Sequence, residues 1–374
     1  MIYQVTGKFG IMVVSILLTL VVLEIGARTL MKPTDVLNSN DPETGRIYQK
    51  NFKGFVWEHE AGRETYIITN SLGYVGRDVE LEKKNNVTRI AMLGDSMTAA
   101  LQVDYYNNFS SLLASSLNAD AAGGGKRFEI LNYGIGGTGT FLQYQTYKKN
   151  ISPYKPDAVF LIFFPANDYS ENINKSNFDL ENYKREGDQL TLVKSFLLRF
   201  ELTKFILSRQ AQINALLTKL ILSETQNSAL FLSMLNRVGF EKQIQRTTFT
   251  VKVSGRGGEF EKREGFYEDT FTIIDRLRKR VESDGTRFLV IILATEDLYE
   301  KSGLWKQEEK ITKLIDFLEK EEIKYLNSAE PLASAKQEYP GKCFTNYCSI
   351  GHFNELGHEV FAKILYEVIQ RYSI

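Results

Sequence analysis

Ser96 closes the tripeptide Gly94-Asp95-Ser96, directly after the apolar run Arg89-Ile90-Ala91-Met92-Leu93. A serine hydroxyl placed where a buried strand gives way to a turn can serve as a nucleophile. It attacks poorly on its own at neutral pH and needs a base within hydrogen-bond reach, most often a histidine. The chain holds 3 histidines, His59, His352 and His358. His352 lies in Gly351-His352-Phe353-Asn354-Glu355-Leu356-Gly357-His358, just ahead of a C-terminal stretch with helical periodicity. His59 reads as a surface strand residue and His358 as a helix-packing residue, so acyl transfer by Ser96 with His352 as base is the chemistry these residue types predict.

The elements that must bring Ser96 and His352 together follow from hydrophobic rhythm. From Thr88 onward, short β-branched or aromatic runs alternate with helical periods, which predicts an α/β fold. Strands are expected at Thr88 to Leu93, Phe128 to Asn132, Asp157 to Phe164, Arg287 to Leu293 and Ile323 to Leu326. Helices are expected at Phe109 to Leu117, Phe141 to Lys149, Tyr267 to Val281, Glu308 to Lys320 and Glu355 to Tyr372. Asp157 to Phe164 is almost continuously apolar, as a strand covered on both faces must be. The expected architecture is a three-layer α/β/α sandwich around a mainly parallel, flavodoxin-like sheet of five strands, with ligands bound beyond the carboxyl ends of the strands.

Those ends carry unusual residues. The first strand leads into Gly94-Asp95-Ser96, the second into Asn132-Tyr133-Gly134-Ile135-Gly136-Gly137-Thr138-Gly139, and the third into Pro165-Ala166-Asn167-Asp168. The second block is formally G-x-G-x-x-G, a dinucleotide fingerprint. The acidic residue that should end the following strand is misplaced, however, since Asp157 begins that strand and Asp168 lies beyond it. A nucleotide site would also leave Ser96 and His352 without a role.

Composition narrows the partners. With 43% hydrophobic and 25% charged residues the chain is an ordinary folded protein, and its 46 basic residues balance 46 acidic ones, which removes the electrostatic footprint of a nucleic-acid binder. Phe9 to Leu23 is apolar apart from Ser15 and Thr19, and no small-x-small cleavage site follows it, so residues 1–30 are expected to form an uncleaved signal anchor or transmembrane helix. Lys8 before it and Arg28 and Lys32 after it leave the positive-inside count almost even, so export of the following domain is inferred from position. Residues 31–87 read as a linker and lead-in, polar from Pro33 to Arg46. There Phe55 to Glu60 and Glu64 to Thr69 form a hairpin around Ala61-Gly62-Arg63. Residues 88–374 form the main domain, interrupted at about 169–265 by a helical insertion too long for a simple loop. Cys343 and Cys348 are the only cysteines, and in an exported chain their spacing suggests a disulfide loop. Together with His352 and His358 they fall within 16 residues, but a structural zinc site needs a longer loop between its ligand pairs, and zinc would take His352 away from Ser96.

In their order and residue types, the four blocks around Ser96, Gly137, Asn167 and His352 resemble the SGNH hydrolases, the GDSL-like family of serine esterases, lipases, acetylesterases and acyltransferases. The resemblance covers roughly Ile68 to Ile374, the insertion excepted. Asn70-Ser71-Leu72-Gly73 with Gly76-Arg77 further resembles the lead-in of membrane-anchored bacterial members linked to surface polysaccharide. The resemblance implies Ser96 as nucleophile, His352 as base, and an oxyanion hole from the backbone N–H groups of Ser96 and Gly137 with the Asn167 amide; Gly136 is the neighbouring alternative to Gly137. It implies no cofactor and no metal, and an acyl ester substrate such as acetylated surface carbohydrate.

One departure matters. The family's aspartate, two or three residues before the histidine, is replaced here by Ile350 and Ser349. The expectation is therefore a Ser-His dyad, an acid borrowed from elsewhere, or weak catalysis. Ser349 Oγ or a backbone carbonyl would accept the Nδ1 proton, Glu355 would need an unusual rotamer, and Asp95 and Asp168 would support the turns. Beside the esterase reading stand an O-acyltransferase and a non-catalytic surface or polysaccharide-binding protein.

Overall fold

The computed structural model of the chain describes residues 14–15, 18–25, 37–41, 44–58, 60–120, 125–172, 265–293, 304–347, 351–372 and 374. The chain divides into two compact units, Met1–Val36 with Gly187–Lys262, and Leu37–Glu186 with Arg263–Ile374. The second unit carries every strand and helix labelled below. The expected insertion lies outside the described residues except for 169–172 and Gly265, and so does most of the expected N-terminal anchor. Residues 18–25 are helical with Leu18, Val21, Val22 and Ile25 exposed. Among the described residues no helix is long and apolar enough to cross a membrane.

Two antiparallel hairpins precede the main sheet. The first pairs β1 (Asn38–Asp41) with β2 (Gly45–Tyr48), and the second pairs β3 (Lys53–Glu58) with β4 (Arg63–Ile68). The first hairpin occupies a stretch whose polar composition reads as linker. Its turn is made by Asp41, whose carboxylate accepts the Thr44 N–H at 2.9 Å, and its second strand buries Ile47 and Tyr48. Two buried side chains in four residues are too short a signal for periodicity to detect.

The main sheet contains β5 (Val87–Gly94), β6 (Arg127–Gly134), β7 (Ala158–Phe163), β8 (Arg287–Ile292) and β9 (Tyr325–Asn327), in the order β6-β5-β7-β8-β9 and parallel throughout. This is the flavodoxin-like order, with its switch point between β5 and β7. Register places Gly94 beside Gly134 and Leu93 beside Leu161, so β5, β6 and β7 finish along one edge. All six residues of β7 are buried, as the apolar run requires of a strand with helices on both faces.

The helices are α1 (Ser96–Ala99), α2 (Phe109–Asp120), α3 (Thr140–Thr146), α4 (Asp168–Asn172), α5 (Phe266–Ser283), α6 (Leu304–Lys320), α7 (Ala329–Glu338) and α8 (Glu355–Arg371). In α5 the buried positions Thr270, Ile273, Ile274, Leu277 and Val281 recur at helical spacing. In α8, Val360, Phe361, Ile364, Leu365, Val368 and Ile369 pack with Leu113 of α2 and with Ile90, Met92, Phe160 and Ile162 of the sheet. Each such side chain contributes roughly 1.5–3 kcal/mol on burial, so α8 is a rigid support for the loop that precedes it.

That loop is tied at several points. Asn354 caps α8 by accepting the Gly357 N–H at 3.0 Å, while its own amide donates to Cys343 O at 2.8 Å and Thr345 O at 3.1 Å. Cys343 is disulfide-bonded, and Cys348, the other cysteine of the expected loop, lies outside the described residues. Asn354 therefore joins the start of α8 to the segment that the disulfide closes, and His352 lies between them.

Candidate active site

Ser96 is the first residue of α1, one step past the end of β5. Asp95 caps the helix, its buried carboxylate accepting the Met97 N–H at 2.8 Å through Oδ1 and the Asn167 amide at 2.9 Å through Oδ2. As the first amide of a helix, the Ser96 N–H has no intrahelical acceptor and is free for a ligand. The Ser96 Oγ lies 2.8 Å from His352 Nε2.

The other ring nitrogen of His352 contacts a carboxylate. Glu60 Oε2 is 2.5 Å from His352 Nδ1, and Glu60 Oε1 accepts the His352 backbone N–H at 2.6 Å and the Asn346 amide at 3.3 Å. Glu60 sits in the turn between β3 and β4, where Glu58 Oε2 accepts the N–H groups of Glu60 and Ala61, each at 2.8 Å. Gly351 makes this approach possible. Its φ is +106, a conformation that favours glycine, and a Cβ there would run into Glu60 Oε1.

The pair is electrostatically coupled. Burial disfavours charge on Glu60, but hydrogen bonds from the His352 ring and backbone, with the imidazole's charge, outweigh it and hold the carboxyl below the usual range. Burial likewise pushes the His352 pKa down, while the hydrogen bond and charge of Glu60, aided by Asp95 and Glu58, raise it above the ordinary histidine value. A carboxylate on Nδ1 fixes the tautomer that leaves Nε2 free to accept a proton, and it stabilises the imidazolium that results.

Of the acceptors considered for Nδ1 from the sequence, Ser349 lies outside the described residues. Glu355 is turned away to Arg63, with its Oε1 2.7 Å from the guanidinium. The carboxylate comes instead from the N-terminal lead-in, 292 residues away in sequence. Nothing in Trp57-Glu58-His59-Glu60 singles out Glu60 over its neighbours. The only signal was the empty position before His352, which requires an acid from elsewhere.

Asn167 follows β7, and with one amide hydrogen on Asp95 it keeps a second for another acceptor. Asp168 is buried, its carboxylate accepts the Phe164 N–H at 2.8 Å, and burial together with the charges of Asp95 and Glu171 pushes its pKa well up. Gly137 adopts φ +71, and Gly136 approaches Ser96 so closely that a Cβ on it would lie 3.5 Å from Ser96 Cβ. The Gly136 N–H donates to the Tyr48 hydroxyl at 3.1 Å and its carbonyl accepts from Arg46 Nη1 at 2.9 Å, so β2 holds this loop. His358 stands apart from the site. Its ring stacks on Phe109 with centroids 5.7 Å apart, both its nitrogens lack partners among the described residues, and burial pushes its pKa down to about 3. His59 lies outside the described residues.

Residues 90–253 match the family model of the GDSL-like lipase/acylhydrolases. That match begins after Tyr48 and Glu60 and ends before His352, so within it fall Ser96, Gly136, Gly137 and Asn167. The chain is also similar to solved structures. An acetyl xylan esterase, AlAXEase, is 11% identical, with 75% of this chain and 99% of that one covered and a TM-score of 0.42. A lipase/acylhydrolase from Enterococcus faecalis is 13% identical, covering 76% and 96%, with a TM-score of 0.39. A catalytic mutant of an acetylxylan esterase from Geobacillus stearothermophilus is 9% identical, covering 75% and 94%, with a TM-score of 0.41. No curated protein matches the chain.

Proposed function

We propose that the GDSL-like domain is a serine esterase working through an acyl-Ser96 intermediate with Glu60 as the acid of its triad. The observation that carries this reading is the continuous line from Ser96 Oγ to His352 Nε2 at 2.8 Å and from His352 Nδ1 to Glu60 Oε2 at 2.5 Å. His352 Nε2 takes the Ser96 proton as Oγ bonds to the ester carbonyl carbon, and the carbonyl π electrons move onto oxygen. The Ser96 N–H, the second-block backbone and the free Asn167 hydrogen donate to that oxygen. Collapse of the adduct expels the alcohol oxygen, which takes the proton from His352. Water then gives its proton to His352 and attacks the acyl carbon, and the proton returns to Ser96 as the carboxylic acid leaves.

The resemblance to lipases and acylhydrolases supports an acyl ester as substrate. We therefore take O-acetyl groups on surface carbohydrate as the substrate class. We also assign the domain to an extracytoplasmic position on an N-terminal anchor, supported by the apolar run Phe9 to Leu23. The presence of Glu60 beside His352 supports catalysis over a non-catalytic binding role.

A fluorophosphonate probe is expected to label the wild type on Ser96 and to leave Ser96→Ala unlabelled, read by intact-protein and peptide mass spectrometry. An unlabelled wild type, or equal labelling of the variant, would refute the esterase reading. With an activated acetyl ester, release of acetate is expected to dominate over transfer to an added sugar, and the reverse ratio would make the protein an O-acyltransferase.

A further inference from the structure

Tyr48 brings to this site a group that the steps above leave unused. Its side chain is buried at 2% exposure, and its oxygen accepts the Gly136 N–H at 3.1 Å. A phenol has one proton to donate. Among the described residues that proton has no acceptor, because the contact with Gly136 uses only the oxygen lone pair.

Several observations fix where the phenol stands. A methyl group on the Gly136 Cα would meet Ser96 Cβ at 3.5 Å and the Tyr48 hydroxyl at 3.8 Å, so the nucleophile and the phenol flank one glycine. Arg46, two residues earlier and on the same face of β2, donates to the Gly136 carbonyl at 2.9 Å, so both backbone polar groups of the glycine are held by β2. Burial raises the phenol pKa to about 12, against the lowering effect of the Gly136 hydrogen bond and the Arg46 charge, so Tyr48 keeps its proton across the range in which an esterase works.

We infer that Tyr48 is a catalytic residue that donates its phenolic O–H to the oxyanion formed when Ser96 adds to the ester carbonyl. The inference rests on the serine esterase reading and adds to its oxyanion hole a donor from the lead-in. The phenol is held before substrate arrives, so its dipole needs no reorganisation as charge develops, the condition under which such donors act most strongly. No bond to Tyr48 forms or breaks, and its proton stays on the phenol throughout.

Tyr48→Phe removes the hydroxyl and keeps the ring. With p-nitrophenyl acetate, kcat is expected to fall about 100-fold while KM stays within about threefold. Affinity for a methyl trifluoromethyl ketone, which forms a tetrahedral adduct on Ser96, should fall by the same factor as kcat/KM. A kcat within about threefold of wild type overturns the inference, as does a rise in kcat, which would mean that the phenol covers the hole. Arg46→Ala, which releases the Gly136 carbonyl, tests a purely mechanical role: an equal loss of kcat and of ketone affinity there makes Tyr48 a clamp and overturns the donor assignment. Fluorophosphonate labelling separates this from failure of the esterase reading itself. An unlabelled wild type removes both, whereas complete labelling of wild type and Tyr48→Phe with unchanged turnover removes only the role of Tyr48.

Discussion

Replacing Glu60 by glutamine keeps the size of the side chain and removes the charge that faces His352 Nδ1. In the active form of the site, above the acid limb, His352 is neutral. As it takes the Ser96 proton it becomes an imidazolium whose Nδ1 lies 2.5 Å from Glu60 Oε2. The side chains are 25% and 17% exposed, so the pair is largely shielded from water without being dry. With charge centres about 4 Å apart and an effective dielectric near 20, the attraction is about 4 kcal/mol. Divided by about 1.36 kcal/mol per decade, that is about a 1000-fold loss of kcat. The same substitution moves the pH profile. The raised pKa of His352 means that the wild-type acid limb lies above the ordinary histidine value of about 6.5, because protonated imidazole cannot act as base. Without the Glu60 charge the limb shifts to lower pH, so the variant is slower yet less sensitive to mild acid. The assay is kcat/KM for p-nitrophenyl acetate from pH 5 to pH 9 with active sites counted by fluorophosphonate titration. A Glu60→Gln enzyme within about tenfold of wild type, or one whose acid limb has not moved down, would refute the assignment of Glu60.

Further outcomes follow from neighbouring geometry. Gly351→Ala places a Cβ against Glu60 Oε1 at φ +106, so it is expected to cost about 1–3 kcal/mol of stability and to lower kcat at least about tenfold, read by chemical denaturation and turnover. A variant as stable and active as wild type would contradict the placement of the acid. His358 titrates near 3 when folded and near 6.5 when unfolded, so stability is fully present above about pH 6.5 and is lost as pH falls toward 3, by several kcal/mol in all. His358→Leu should flatten that dependence in pH-dependent melting without changing the acid limb of turnover. Asn167→Ala should lower kcat about 100-fold with KM little changed, since it removes a donor to the oxyanion; the lost hydrogen bond is to Asp95 and not to the ground-state ester.

Most of the fold is readable from residue order, because an apolar run such as Ala158 to Phe163 has few alternatives to a doubly covered strand and α5 keeps its spacing over several turns. Ser96 and His352 are readable for a related reason, since each sits where a regular element begins or ends. What escapes is part of the lead-in, whose second hairpin is readable and whose first is not. β1 and β2 are four residues each, too short for period-two alternation to emerge from polar neighbours. Glu60 belongs to a turn, where side-chain direction follows from the fold of the backbone and not from any periodicity. Tyr48 carries an ordinary core residue's signature, and only its contact with Gly136 distinguishes it. In each case the informative partner is a distant residue, and a single sequence records no distances.

The span between Glu60 and His352 also has a consequence for how the enzyme is made. Ser96 must wait for a base 256 residues later, and the acid waits longer still, since it leaves the ribosome 292 residues ahead of its histidine. A chain emerging residue by residue holds Ser96 without its proposed base until residue 352 has been synthesised, and α8, which supports that base, follows it. A copy cut short before residue 352 has no base at all, and one clipped in the loop before α8 loses the support that holds His352 between its two partners.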